Sequence, residues 1–160
     1  VDILDDEILH LWRLLHRHKT EYIMIGGFAA SLHGYGRITQ LIDIWIKDTL
    51  SNRQSLRKVL KDLEIGDFES IETTQFIPGY TSILLRSGFE LDIMTSIKGF
   101  EQIRFDECYK IAPSAIIDTV PVKFLHLNQL IEAKKASGRP KDLIDVEELE
   151  KIRGIKNQNP

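Results

Sequence analysis

Two aspartates sit where a carboxylate is costly. Asp43 lies within Leu41-Ile42-Asp43-Ile44-Trp45-Ile46, and Asp92 within Phe89-Glu90-Leu91-Asp92-Ile93-Met94. Both segments read as β-strands rich in branched and aromatic side chains. An acid in such a run is destabilising unless it meets a cation, a donor or water. A site role is therefore favoured over a structural one for Asp43, and Asp92 has the same look. Alternate residues on a strand share a face, which puts position 41 with Asp43 and Glu90 with Asp92. Carboxylates on neighbouring strands can together hold a hard divalent cation such as Mg²⁺, which can neutralise phosphate charge. Position 41 carries leucine, which cannot bind Mg²⁺.

The residues around these acids suit phosphate. Gly26-Gly27 lies between an apolar strand and a short helix. Glycine there permits positive φ and close approach of a ligand to the backbone, and the following helix points free N–H groups at the turn. Any strand-to-helix turn also favours glycine, so the pair alone does not decide. Gly34-Tyr35-Gly36-Arg37-Ile38-Thr39 precedes the strand of Asp43. Arg37 could neutralise phosphate charge with several N–H donors, or order the loop by pairing with an acid. Thr39 is read first as ordering that loop through a backbone hydrogen bond. Near the C-terminus, Lys134 and the run Arg139-Pro140-Lys141-Asp142 place cations at two helix ends, where they would attract a nucleotide. Asp142 is read as mainly structural, favouring the first turn of its own helix.

The ordered set Gly26, Gly27, Gly34, Arg37, Thr39, Asp43 and Asp92, closed by Arg139-Pro140-Lys141-Asp142, resembles the minimal bacterial nucleotidyltransferases. These include antitoxin-type and abortive-infection-type members of the DNA polymerase β-like nucleotidyltransferase fold. The resemblance spans about residues 8–147. It implies an α/β (α+β) nucleotidyltransferase fold, a mixed twisted sheet flanked by helices, with further helices at the C-terminus. It implies transfer of a nucleoside monophosphate from a nucleoside triphosphate to an acceptor hydroxyl, with release of pyrophosphate. By resemblance, Gly26 and Gly27 hold the triphosphate, and Arg37, Thr39, Lys134 and Lys141 complete the nucleotide site. Asp43 and Asp92 are the catalytic and metal-binding acids of a two-ion Mg²⁺ site, and Asp92 helps deprotonate the acceptor. The family presents paired acids two residues apart, and here Leu41 stands in the first position. Three accounts stay open: a degenerate member that binds nucleotide or a protein partner without catalysis, another acid in substitution, or an inactivating leucine. Glu90 is one candidate substitute, although a solvated edge residue is its simpler reading; Asp48 is less well placed. Whether the chain is an enzyme is thus open, and the runner-up is an inactive nucleotide- or protein-binding module, half of a toxin–antitoxin pair.

The bulk properties bound these readings. The chain has 160 residues, 42% hydrophobic and 28% charged, which suits one globular domain, taken as 1–153 with a polar tail at 154–160. The formal net charge of −3 confines any nucleic-acid contact to a local patch and weakens a nucleic-acid-binding role. Cys108 is the only cysteine, which excludes an intrachain disulfide framework and a cysteine-based zinc site. No apolar run reaches the ~18–20 residues that span a membrane, and the acidic start lacks a signal layout, so a cytoplasmic bacterial-type protein without a membrane partner is expected. An oligomer or protein partner is compatible with small antitoxin-like chains. The five histidines, His10, His16, His18, His33 and His126, form no ligand pair, and His33 reads as packed or exposed rather than as a ligand.

Periodicity predicts the supporting elements. Helices are expected at 4–18, 28–33, 51–63, 127–136 and about 140–152, with Ser137-Gly138 as a break and Pro140 in the first turn of the last. Strands are expected at 21–25, 41–46, near 70–76, 80–86 and 89–95, the last two as a hairpin, and around Pro121 within 114–125. Residues 99–109 are ambiguous between helix and loop.

Overall fold

The computed structural model describes residues 5–36 and 39–158. Helix α1 (Asp6–Arg17) starts where Asp5 accepts hydrogen bonds from the Glu7 and Ile8 amides, at 3.0 and 3.4 Å. Its apolar stripe, Ile8, Leu11, Trp12, Leu14 and Leu15, is buried. Strand β1 (Tyr22–Ile25) runs directly into α2 (Gly26–Leu32), so this helix begins at the glycine pair itself rather than after it. Strand β2 (Leu41–Ile46) follows, then α3 (Leu50–Asp62), capped by the Thr49 hydroxyl. The buried Asn52 of α3 bonds the backbone at Glu21 and Lys47 and so ties the β1 and β2 ends together.

The hairpin β3 (Ser82–Leu84) and β4 (Glu90–Met94) closes at Ser87-Gly88 as expected. Glu7 of α1 accepts from the Arg86 and Ser87 amides at 3.1 and 2.8 Å and pins that turn. Helix α4 (Phe105–Ile111) resolves the ambiguity at 99–109, and β5 (Ser114–Ile117) pairs with β6 (Val120–Lys123) in a small second sheet. Helices α5 (Leu127–Ser137) and α6 (Pro140–Gln158) form the expected C-terminal pair, with Gly138 in the left-handed region at φ 68° between them.

The main sheet has strand order β1-β2-β4-β3. β1 and β2 are antiparallel, β2 and β4 parallel, and β4 and β3 antiparallel. This is the mixed sheet anticipated. Met24 also forms a parallel bridge with Phe124, which brings the start of α5 to the free edge of β1. The core fills both sides of the sheet, with Trp12, Trp45, Phe100 and Phe105 fully buried. No helix among the described residues is long and apolar enough to cross a membrane.

Two segments depart from expectation. Residues 70–76 form no strand; Glu69–Glu72 is a 3-10 turn with Ile71 buried. The carbonyls of Ile71 and Thr74 accept from Arg53 of α3 at 3.0 and 2.7 Å, and Arg57 pairs with Asp67 and Glu72 at 2.6 and 2.5 Å. Arg53 thus satisfies backbone carbonyls that a neighbouring strand would otherwise have to satisfy, and Arg57 holds the segment through its carboxylates. The last helix continues past 152 to Gln158, through the segment read as a polar tail. An interior glycine costs a helix only about 1 kcal/mol, and Lys156 reaches back to His33 Nδ1 at 3.3 Å.

Candidate functional site

The parallel pairing of β2 with β4 sets Asp43 opposite Asp92 and Leu41 opposite Glu90. The two aspartates are therefore neighbours on one face of the sheet. They lie in the floor of a cleft of about 580 Å³ bounded by α2, the Pro78-Gly79 turn and the α5–α6 corner. Antiparallel register brings Ile25, at the end of β1, against Asp43, so the glycine pair opens at the same place.

Gly26 has φ 69°, and a Cβ there would collide with Asp43 Oδ2. Glycine is needed both for the backbone conformation and for the approach of the carboxylate. A Cβ on Gly27 would meet Thr39 Cγ2 at 3.1 Å. Thr39 accepts from the Leu41 amide at 3.1 Å and also lines the cleft, so it orders the entry to β2 as the sequence reading proposed.

The two acids are poorly compensated by fixed partners. Asp92 is 4% exposed; its Oδ2 accepts from the Gly79 amide at 2.9 Å. Its Oδ1 is buried without a hydrogen-bond partner among the described residues, while the adjacent Ile93 amide is committed to Thr81 O at 3.2 Å. Burial raises the Asp92 pKa, the Gly79 amide opposes it, and the charge of Glu90 adds to the rise. Asp43 is pushed up to about 7, first by burial and then by the charge of Asp92; Lys134, Lys141 and Arg139 pull the other way from a distance.

The cations differ in their freedom. Lys134 lines the cleft but is 9% exposed, paired with Asp145 at 2.8 Å and within 3.8 Å of Asp142. Asp142 also accepts from Arg139 Nε at 2.7 Å and Ser137 Oγ at 2.8 Å. Burial works against ionisation of Asp142, but these two donors and the nearby cations hold its carboxyl below the usual range. Its structural reading agrees with these contacts. Lys141 and Lys98 are exposed at the cleft and have no carboxylate partner among the described residues. The lining also includes the apolar side chains of Met94, Ile97, Leu125, Leu130 and Ala133.

The structure thus gathers Gly26, Gly27, Thr39, Asp43, Asp92, Lys134 and Lys141 around one cleft. Arg37 lies outside the described residues. Leu41 stands at the rim, 37% exposed. His33 is a buried joint: its Nε2 donates to Leu125 O at 2.7 Å and its ring packs edge-on to Phe124. Sequence reasoning missed Gly79, Lys98 and Asp145. Pro78-Gly79 carried only a turn signal, and Lys98 carried none. Asp145 had a usable one, since Asp142, Asp145, Val146 and Leu149 recur at helical spacing and share the buried face.

No protein-family model matches the sequence, and no curated protein matches it. Solved structures do match in fold. TM1012 of Thermotoga maritima, a candidate nucleotidyltransferase, superposes with a TM-score of 0.59 at 15% identity, over 95% of this chain and 91% of its own. The lincosamide antibiotic adenylyltransferase LnuA, in its lincomycin-bound structure, superposes with a TM-score of 0.57 at 16% identity, over 92% of this chain and 97% of its own. The chain has the nucleotidyltransferase fold.

Proposed function

We propose that this protein is a Mg²⁺-dependent nucleotidyltransferase acting on a nucleoside triphosphate and an acceptor hydroxyl. The observation that carries the reading is the in-register pair Asp43–Asp92 in the floor of the cleft, beside the Gly26-Gly27 turn. The pair suits a hard divalent cation. Asp92 has a buried oxygen without a partner, and Asp43 has a raised proton affinity and no contacting cation among the described residues. Mg²⁺ is commonly bound by one or two carboxylates together with substrate phosphates, so this donor set fits one ion. Leu41 leaves the second ion of the expected two-ion site one carboxylate short. When bound, Mg²⁺ would supply charge neutralisation at the phosphates.

The remaining roles fall to the chain itself. Gly26 and Gly27 let the phosphates approach the backbone, and Lys141 and Lys98 meet their charge. Lys134 is held near Asp43 by Asp145 and Asp142 and tempers the negative field there. Asp92 accepts the acceptor hydroxyl's proton as its oxygen bonds to the α-phosphorus. The bond from that phosphorus to the bridging oxygen breaks, and pyrophosphate leaves. The apolar side chains of the lining offer an uncharged seat for the base or the acceptor. LnuA is lincomycin-bound, so small hydroxylated molecules belong in the acceptor panel alongside proteins.

A second reading is favoured by one residue. Leu41 at the rim fits a binding module that holds nucleotide or a protein partner without turnover, as in a toxin–antitoxin pair. Calorimetric titration with each nucleoside triphosphate, with and without Mg²⁺, separates the two when combined with pyrophosphate release. The enzyme reading expects metal-dependent triphosphate binding that Asp43→Asn and Asp92→Asn abolish, and release of pyrophosphate with a cognate acceptor. Absence of nucleotide binding under both conditions overturns it in favour of the protein-partner reading.

A further inference from the structure

Glu90 opens β4 and lies directly across from Leu41 in the parallel register. Strand alternation puts Glu90 on the face of Asp92, and the register puts that face beside the one carrying Leu41 and Asp43. The four positions therefore form a quadrilateral on the sheet, and three of its corners are carboxylates. The leucine corner adjoins Glu90 at the ordinary strand spacing of about 4.8 Å. Glutamate is one methylene longer than aspartate, which helps it reach across such a gap.

Glu90 is also free to do so. It is exposed, and its carboxylate has no hydrogen bond or ion pair among the described residues. Among the described residues no three acidic, histidine or cysteine side chains are already gathered in ligand position. Glu90 must therefore turn inward, a rotamer change of an exposed side chain that breaks no contact and is fast. Independently, the buried, unpartnered Oδ1 of Asp92 marks this face as one awaiting a ligand.

We propose that Glu90 is a third carboxylate of the divalent-cation site, supplying from β4 the charge that Leu41 withholds on β2. This rests on the cation reading of Asp43 and Asp92 given above.

The test uses Mn²⁺ as probe, titrated into the full chain and followed by electron paramagnetic resonance of the free ion, with thermal melts as a folding control. The variants are Glu90→Gln, Leu41→Asp, the two combined, and Asp43→Asn. Glu90→Gln should weaken Mn²⁺ binding by about 10-fold or more, since affinity follows ligand charge count, without lowering the melting temperature. Adding Leu41→Asp to Glu90→Gln should restore binding, because an acid at position 41 makes Glu90 dispensable. If Glu90→Gln binds Mn²⁺ like the unmodified chain while Asp43→Asn does not, Glu90 is no ligand and the cation reading survives. If the unmodified chain binds no Mn²⁺ that Asp43→Asn removes, the cation reading fails and the Glu90 assignment falls with it.

Discussion

Asp142 borders the same cleft as Asp43 and Asp92, with Asp145 one helical turn further along α6. The fold surrounds Asp142 and Asp145 with Lys134, Arg139 and the Ser137 hydroxyl. Among the described residues, Asp43 and Asp92 receive one hydrogen bond, from the Gly79 amide, and a buried oxygen of Asp92 has no partner. The carboxyl of Asp142 is correspondingly lowered in pKa and that of Asp43 raised. Buried acids that carry their own cations lock two helices together, whereas buried acids left short of positive charge are destabilising until something binds. The contrast between corner and floor supports the proposal that Asp43 and Asp92, rather than Asp142 and Asp145, meet a ligand.

The largest way to break the contrast is Lys134→Met. It removes the lysine that Asp142 and Asp145 share, and removing one partner of a buried pair costs about 3–5 kcal/mol. Urea denaturation should show that loss as a lower midpoint at unchanged slope; a loss below about 1 kcal/mol would mean that the corner is solvated rather than locked.

Asp43→Asn should act in the opposite direction. The folded-state pKa of Asp43 is raised, so the folded chain holds this proton more tightly than the unfolded one. Stability is then greatest below the unfolded value of 3.8 and is lost as pH rises from there to about 7. Asparagine removes that loss, so the variant should be more stable than the parent at pH 7 without metal, by on the order of 2–4 kcal/mol. Its melting temperature should also vary less between pH 4 and 7. Equal pH dependence in both proteins would show that Asp43 is solvated in the absence of metal.

Leu41→Asp should have the smallest effect on folding. Position 41 is partly exposed, so the acid keeps water and only mild repulsion from its neighbours is added, for a cost of less than about 1 kcal/mol. That cost should reverse when Mg²⁺ is present, which chemical denaturation with and without the ion measures directly.

Much of this arrangement was legible in the residues. Face parity put Asp43 and Asp92 on matching strand faces, and the hairpin turn and the Ser137-Gly138 break lie where the residues signal them. What single segments could not carry was pairing. Nothing local says that β2 lies beside β4; that adjacency was expected only from the family resemblance, and Glu90 was a candidate for the missing acid by face alone, so the register that sets it directly across from Leu41 is the structure's addition. Residues 70–76 look like a strand because their branched side chains are real; the arginine that satisfies their carbonyls, Arg53, lies on α3, a helix away. The corner was readable in principle. Leu127, Leu130, Ile131 and Lys134 recur at helical spacing, so the lysine belongs to the buried stripe of α5 rather than to its solvated side. A charge within an apolar stripe is a prompt to look for its counter-charge on the next helix.

The parallel join between β2 and β4 also has a bearing on how the chain reaches this state. A hairpin can zip from its turn, but these two strands are separated by α3, the arginine-clamped turn and the whole of β3. Their pairing therefore has to await closure of a long intervening loop, a step whose entropy is lost before any contact is gained. Asp43 and Asp92 become neighbours only at that step. A chain still emerging from the ribosome and ending before β4 holds one of the two acids and only part of the lining of their pocket. Binding of the cation would consequently favour the completed sheet over every shorter or partly folded species, acting as a late clasp rather than as a seed.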